Sequence, residues 1–412
     1  NIYDFLMRNP QTYLPELSSS KVGKPKRTLK IGDYAIPLGK PSIKFLRKSK
    51  SFWKILGEHG IFSHIVRVPI TFPPEKFQGA MLSAMGTPDL QGTQGTFSYC
   101  STAKLNGNRY TGGMQIPVSR EGNRIRGELI GPENIFRKSS QPLKAPFEVI
   151  LQQQEKQARL KIQGKTYLLK EKEFTPWIKV AFKAAPGVKI RGICQFYLKQ
   201  ISEKTELYIS PINIDPERPA LPISHPFFFS IYLAKLFGSF GTLGMAEDTW
   251  ALNEQVLDEE AFLEQAYRIH EEREKQFFHA LRKTKNGLCA CVFDGTDRIQ
   301  HMFFRYLVEG HPANKEKDAK RYKHIIPELY QRADDLLGRV MKKTDEDTLL
   351  MVLSDHGFKS FVRGINLNSW LHQNGYLKLK NGDLSAEYFE NVDWQNSRAY
   401  AVGLAGIYLN IK

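Results

Sequence analysis

Two stretches decide the reading of this 412-residue chain: Leu288–His301, LCACVFDGTDRIQH, and Thr348–Phe358, TLLMVLSDHGF. Each begins with a short apolar run, Leu288–Phe293 and Thr348–Leu353, and passes into a polar cluster. A continuous apolar run of that length predicts a strand buried on both faces, as in a parallel sheet. Ligands of open α/β sheets gather just beyond the carboxyl ends of such strands. The polar clusters sit at that place in both stretches. Asp297 and His301 are four residues apart, so on a helix they share one face and can clamp one ion. Asp355 and His356 are adjacent and would point to opposite faces of a regular strand. A turn at Gly357 lets both face one side. Two carboxylates and two imidazoles suit zinc or another transition metal better than magnesium. Asp294 competes with Asp297 for one ligand position, and the four-residue spacing to His301 favours Asp297. Structural hydrogen bonding at a strand end is the competing reading of both clusters.

Working outward, Asp258, Glu259 and Glu260 crowd the start of a helix that runs to about Lys283, with Gly287 as its stop. Carboxylates there favour the positive end of the helix dipole. Further helices are predicted over about Arg298–Leu307 and Pro327–Lys343. Residues 79–215 change texture: short alternating runs such as RIRGELIG, FEVILQQQ, ARLKIQG and TELYIS recur between Gly, Pro and charged turns. That is a β-rich unit, inserted as a cap. Val66–Ile70 (VRVPI) reads as a short strand ended by Pro73-Pro74. The expected organisation is therefore residues 1–78 as an incomplete N-terminal part of an α/β core, 79–215 as the cap, and 216–412 as the metal-binding part of the core.

Bulk properties bound the rest. The composition, 41% hydrophobic and 25% charged, is that of a globular protein. Pro226–Gly244 is the most apolar stretch, but Lys235 and several glycines break it. It reads as a buried or cleft-lining segment and not a membrane span. The net charge is +16, and Lys21–Lys50 holds ten basic residues against Asp33 alone. A solvated basic segment is the plain reading, attraction of an anionic substrate the first alternative, and nucleic-acid or membrane binding the second. No nucleic-acid-binding pattern accompanies the charge. The four cysteines form no disulfide framework, and Cys289 and Cys291 read as small core residues.

VLSDHGF and FDGTDRIQHMF resemble the metal-binding segments of the alkaline phosphatase superfamily, nearest to its type I phosphodiesterase / nucleotide pyrophosphatase branch. VPITFPPEKFQG (Val68–Gly79), SPINIDPERP (Ser210–Pro219) and LNSWLHQNGYL (Leu367–Leu377) resemble a subgroup of predicted phosphohydrolases and phosphomutases in that branch. The resemblance implies an alkaline-phosphatase-like α/β core, a largely parallel sheet covered by helices, with the β-rich insertion. It also implies two divalent metal ions, zinc with manganese as the alternative. Asp297 and His301 match two ligands of one ion, and Asp355 and His356 two ligands of the other. It implies a Ser or Thr nucleophile, a further Asp and a distant His as well. No segment of this chain matches these, so the nucleophile is expected upstream of Asn1 and the His beyond Lys412. The expected activity is hydrolysis of phosphodiester or nucleotide pyrophosphate bonds on a small phosphorylated substrate, through a covalent phospho-enzyme. Phosphomonoester hydrolysis or phosphate transfer is the alternative, and a metal-stabilised binding module the non-enzymatic one. Arg298, Arg363, His225, Glu247 and Asp248 are weaker candidates for substrate contacts. His372 is assigned a structural role, and His59, His64, His270, His279, His311 and His324 to surface or core.

Overall fold

The computed structural model describes residues 6–411 except 10, 18–19, 24–26, 40–41, 48, 104–109, 316–317, 381–388 and 405. Much of the basic segment 21–50 is described, but Lys24, Lys26, Lys40 and Lys48 lie outside these residues. The fold mixes α and β, with several separate sheets. It divides into two compact units, one of residues 22–43 and 48–302, the other of 1–21, 44–47 and 303–412.

In the first unit a four-stranded sheet carries the candidate site. Its order is Ser224–His225, Gly79–Leu82, Ser63–Val66, Leu288–Cys291. The last three run parallel, and the two-residue strand at the other edge is antiparallel. Alternation of side chains sends Ile65 and Met81 to one face, where Trp53 covers them, and Ala80 and Leu82 to the other. There the helix Phe229–Phe237 lays Phe229, Leu233 and Ala234 on them. The apolar stretch Pro226–Gly244 is thus partly a core helix, with Phe240 and Leu243 also buried but Phe227, Phe228 and Leu236 exposed. The long helix Glu259–Lys283 opens where its acidic cluster predicts. Asp258 caps it, accepting a bond from the Ala261 amide at 2.9 Å. Phe277 near its end meets Phe293 edge-on, with centroids 5.6 Å apart. Gly287 has φ +145°, and a Cβ there would lie 2.1 Å from the Phe62 carbonyl oxygen. Only glycine lets the chain enter Leu288–Cys291 so close to that neighbour.

The β-rich stretch is also present. A five-stranded antiparallel meander runs Val118–Glu121, Arg124–Glu133, Pro142–Gln152, Gln157–Ile162, Lys165–Lys170. It shares a core with a three-stranded sheet built on the Ile178–Ala185 and Val188–Cys194 hairpin, centred on Leu129, Phe147, Leu160 and Phe182. Burial alternates along Pro142–Gln152, as a sheet covered on one face requires.

In the second unit the helix Ile325–Met341 buries Ile325, Ile326, Leu329, Leu336 and Val340. The helix Leu367–Gln373 and the hairpin Ala399–Val402 with Gly406–Leu409 enclose a small core around Leu371 and Tyr400.

Two strand expectations are corrected. The strand near VRVPI is Ser63–Val66, because Arg67 (φ 56°) and Ile70 (φ 55°) leave the extended region. Thr348–Leu353 forms no strand, and Leu349, Met351, Val352 and Leu353 are 62–83% exposed. β-propensity alone does not hold a strand; it needs a neighbouring strand to bond. Thr348–Leu353 pairs with none among the described residues.

Candidate metal centre

The chain leaves Leu288–Cys291 through Val292, Phe293 and Asp294 and enters the helix Gly295–Phe303, followed by a 3-10 turn at Phe304–Leu307. The helix begins three residues before the expected Arg298. Its entry is fixed by Thr296, whose hydroxyl donates to the Phe293 carbonyl at 3.0 Å, and by the Arg298 amide donating to the Asp294 carbonyl at 3.0 Å. That register puts Asp297 and His301 on one face, with His301 Nε2 3.3 Å from Asp297 Oδ1. Their side chains are 26% and 56% exposed, open enough to reach an ion.

Asp294 points inward. It is 6% exposed and ion-paired to Arg273, which also donates to the Val292 carbonyl at 2.9 Å. Beside this pair lies Glu247, 3% exposed, with no hydrogen-bond partner for either carboxylate oxygen. Burial first, and then the Asp294 charge, hold the Glu247 carboxyl well above its usual range. Arg298 reaches Asp297 at 3.7 Å, while its Nε and Nη2 are buried and unbonded.

Asp355 and His356 belong to the other unit. His356 Nε2 is 3.7 Å from Asp355 Oδ2, and the side chains are 52% and 90% exposed. His356 Nδ1 lies 3.0 Å from the Gly357 carbonyl oxygen, and Ser354 donates to the His356 carbonyl at 2.7 Å. Phe358 stacks near Phe304 at 6.3 Å, and His311 Nε2 is 2.8 Å from the Phe361 carbonyl oxygen. So the segment rests on its unit at Phe358 and Phe361, while the apolar run before it is exposed.

Each pair offers one carboxylate and one imidazole, the donor chemistry of a zinc or manganese site. No group of three or more His, Cys, Asp or Glu arranged to hold an ion occurs among the described residues. The two pairs lie in separate units.

The weaker candidates have local partners. His225 Nε2 lies 3.0 Å from the Phe77 carbonyl oxygen. Asp248 caps the helix Thr249–Asn253 and accepts from the Tyr208 hydroxyl at 2.8 Å, and burial pushes its carboxyl up to about 6. Arg363 is exposed. His372 Nδ1 is 3.0 Å from the Leu377 carbonyl oxygen. Arg273 was not singled out by its sequence, although it falls four residues from both Ile269 and Phe277 on the apolar face of its helix. A charge on that stripe is the signal that it is buried and paired. All four cysteines are free thiols, and no described helix is long and apolar enough to cross a membrane.

The family model described as Type I phosphodiesterase / nucleotide pyrophosphatase matches residues 176–410, more than half of the chain. No curated protein and no solved structure matches.

Proposed function

We propose, because this chain belongs to the type I phosphodiesterase / nucleotide pyrophosphatase family of hydrolases in the alkaline phosphatase superfamily, that it cleaves phosphodiester or nucleotide pyrophosphate bonds at a two-metal centre. The observation that carries this reading is the Asp297–His301 pair, 3.3 Å apart on an exposed helix face inside the matched region. In this proposal Asp297 and His301 serve one divalent ion, and Asp355 and His356 the second. Bound zinc or manganese would supply charge neutralisation at the phosphate oxygens and a lowered pKa for the attacking hydroxyl. That hydroxyl would be a Ser or Thr side chain. In this proposal the 79–215 unit would roof the cleft and select a small phosphorylated substrate, while residues 1–78 and 216–412 would form an alkaline-phosphatase-like core.

The test uses the full-length protein, stripped of metal and reloaded with zinc or manganese, on nitrophenyl esters. Faster turnover of the phosphodiester than of the monoester is expected, with loss of turnover on chelation. Monoester preference would move the assignment to phosphomonoesterase or phosphomutase. Undiminished turnover after chelation would remove the metal reading.

A further inference from the structure

The polar groups behind the Gly295–Phe303 helix are unevenly paired. Four charged side chains meet there: Glu247, Arg273, Asp294 and Arg298. Arg273 and Asp294 pair through Nη1 and Oδ1, while Arg273 Nε and Asp294 Oδ2 are buried without a partner. Glu247 has no partner for either side-chain oxygen, and Arg298 has two buried, unbonded nitrogens. Buried polar atoms are nearly always hydrogen-bonded, so complementary charged groups left in this state call for an explanation.

Geometry connects them. Glu247 Oε1 lies 3.8 Å from where a Gly295 Cβ would stand. Gly295 and Arg298 are three residues apart, hence neighbours on one face of the helix. Glu247 also feels the Arg298 charge. Arg298 meanwhile approaches Asp297 at 3.7 Å, too long for a hydrogen bond. It has one loose partner in front, the candidate ligand, and one waiting partner behind.

We infer that Glu247 is a positioning residue for metal binding: it receives Arg298 when a divalent cation takes Asp297. Without the cation, Arg298 leans on the Asp297 carboxylate and competes for it. With the cation, Arg298 turns to the buried Glu247 carboxylate, and the like charges separate. The exchange changes no bond between heavy atoms, and whatever proton the buried Glu247 carboxyl holds leaves to solvent as the guanidinium arrives. It rests on the proposal that Asp297 is a ligand, and the experiment separates the two claims.

Zinc affinity of the metal-stripped, full-length protein is measured by calorimetry or chelator competition, with thermal melting of the metal-free variants as a folding control. Asp297→Asn tests the ligand, and unchanged affinity there would overturn both claims. Given loss of affinity in that variant, Glu247→Gln is expected to weaken zinc binding about tenfold, the lower end of what losing a supporting partner costs. Glu247→Asp restores most of it. Arg298→Gln is expected to tighten binding severalfold, and Glu247→Gln should have little further effect in that background. Affinity in Glu247→Gln within twofold of the parent, or a full tenfold loss retained in the double variant, overturns the exchange. Should Glu247→Gln fail to fold, Arg298→Gln decides alone, and weaker zinc binding there overturns it.

Discussion

Leu288–His301 and Thr348–Gly357 are written in the same sequence grammar, an apolar run followed by aspartate and histidine, yet they meet different physical fates. Leu288–Cys291 bonds to Ser63–Val66 in a parallel pair. The chain then enters a helix that seats Asp297 and His301 side by side. Leu349–Leu353 has the stronger apolar character and no ladder, and its side chains face outward. A helix is made by local bonds, so a four-residue spacing delivers its geometry wherever the helix forms. A strand is a relation between segments, and no property of TLLMVL supplies its partner.

The largest predicted effect tests the buried side of this comparison. Arg273→Met leaves Asp294 charged and uncompensated in a site only 6% exposed. Breaking a buried ion pair at one partner costs about 3–5 kcal/mol. Urea unfolding should show that loss, and adding Asp294→Asn should recover part of it. A cost below about 1 kcal/mol would mean that water reaches Asp294, and the contrast between a dry helix entry and an open Asp-His-Gly segment would shrink.

The second effect is a pH dependence. Asp248 follows Glu247 and is buried, with its carboxyl moved from an ordinary 3.8 to about 6, burial being the main cause. A raised carboxyl pKa means that the folded state favours the proton. Below about 4 both states are protonated and nothing is lost. Between about 4 and 6 the unfolded chain ionises first, so stability falls as pH rises, by roughly 3 kcal/mol in all. Asp248→Asn keeps an acceptor for the Ala251 amide and the Tyr208 hydroxyl while removing the titration. The difference in unfolding free energy between parent and variant should therefore drift by that amount from pH 4 to 7. A flat difference would show that Asp248 ionises freely.

What could be read in advance follows the same division. The helix Glu259–Lys283 was legible to its cap, because Asp258 and the acidic first turn act over a few residues. The strands of 79–215 were legible because alternation is local. The i to i+4 placing of Asp297 and His301 was legible for the same reason. Two features were hidden by distance. Arg273 finds Asp294 twenty-one residues on, and Glu247 joins them from another loop. Buried charge pairing depends on which segments meet, and the order of residues within one segment does not record that.

The smallest predicted effect bears most directly on the comparison. Leu353 is 83% exposed, so Leu353→Ala removes apolar surface that water already reaches. Substitutions at such sites usually change stability by no more than about 0.5 kcal/mol. The urea midpoint should stay within that limit in the 412-residue chain. A buried leucine would instead lose about 2–5 kcal/mol on the same truncation. A loss of that size would mean that another strand or helix covers Thr348–Leu353, and that Asp355 and His356 leave a buried strand as Asp294 leaves Leu288–Cys291. The two stretches would then share a structure as well as a grammar, and the exposed run of leucines would no longer separate them.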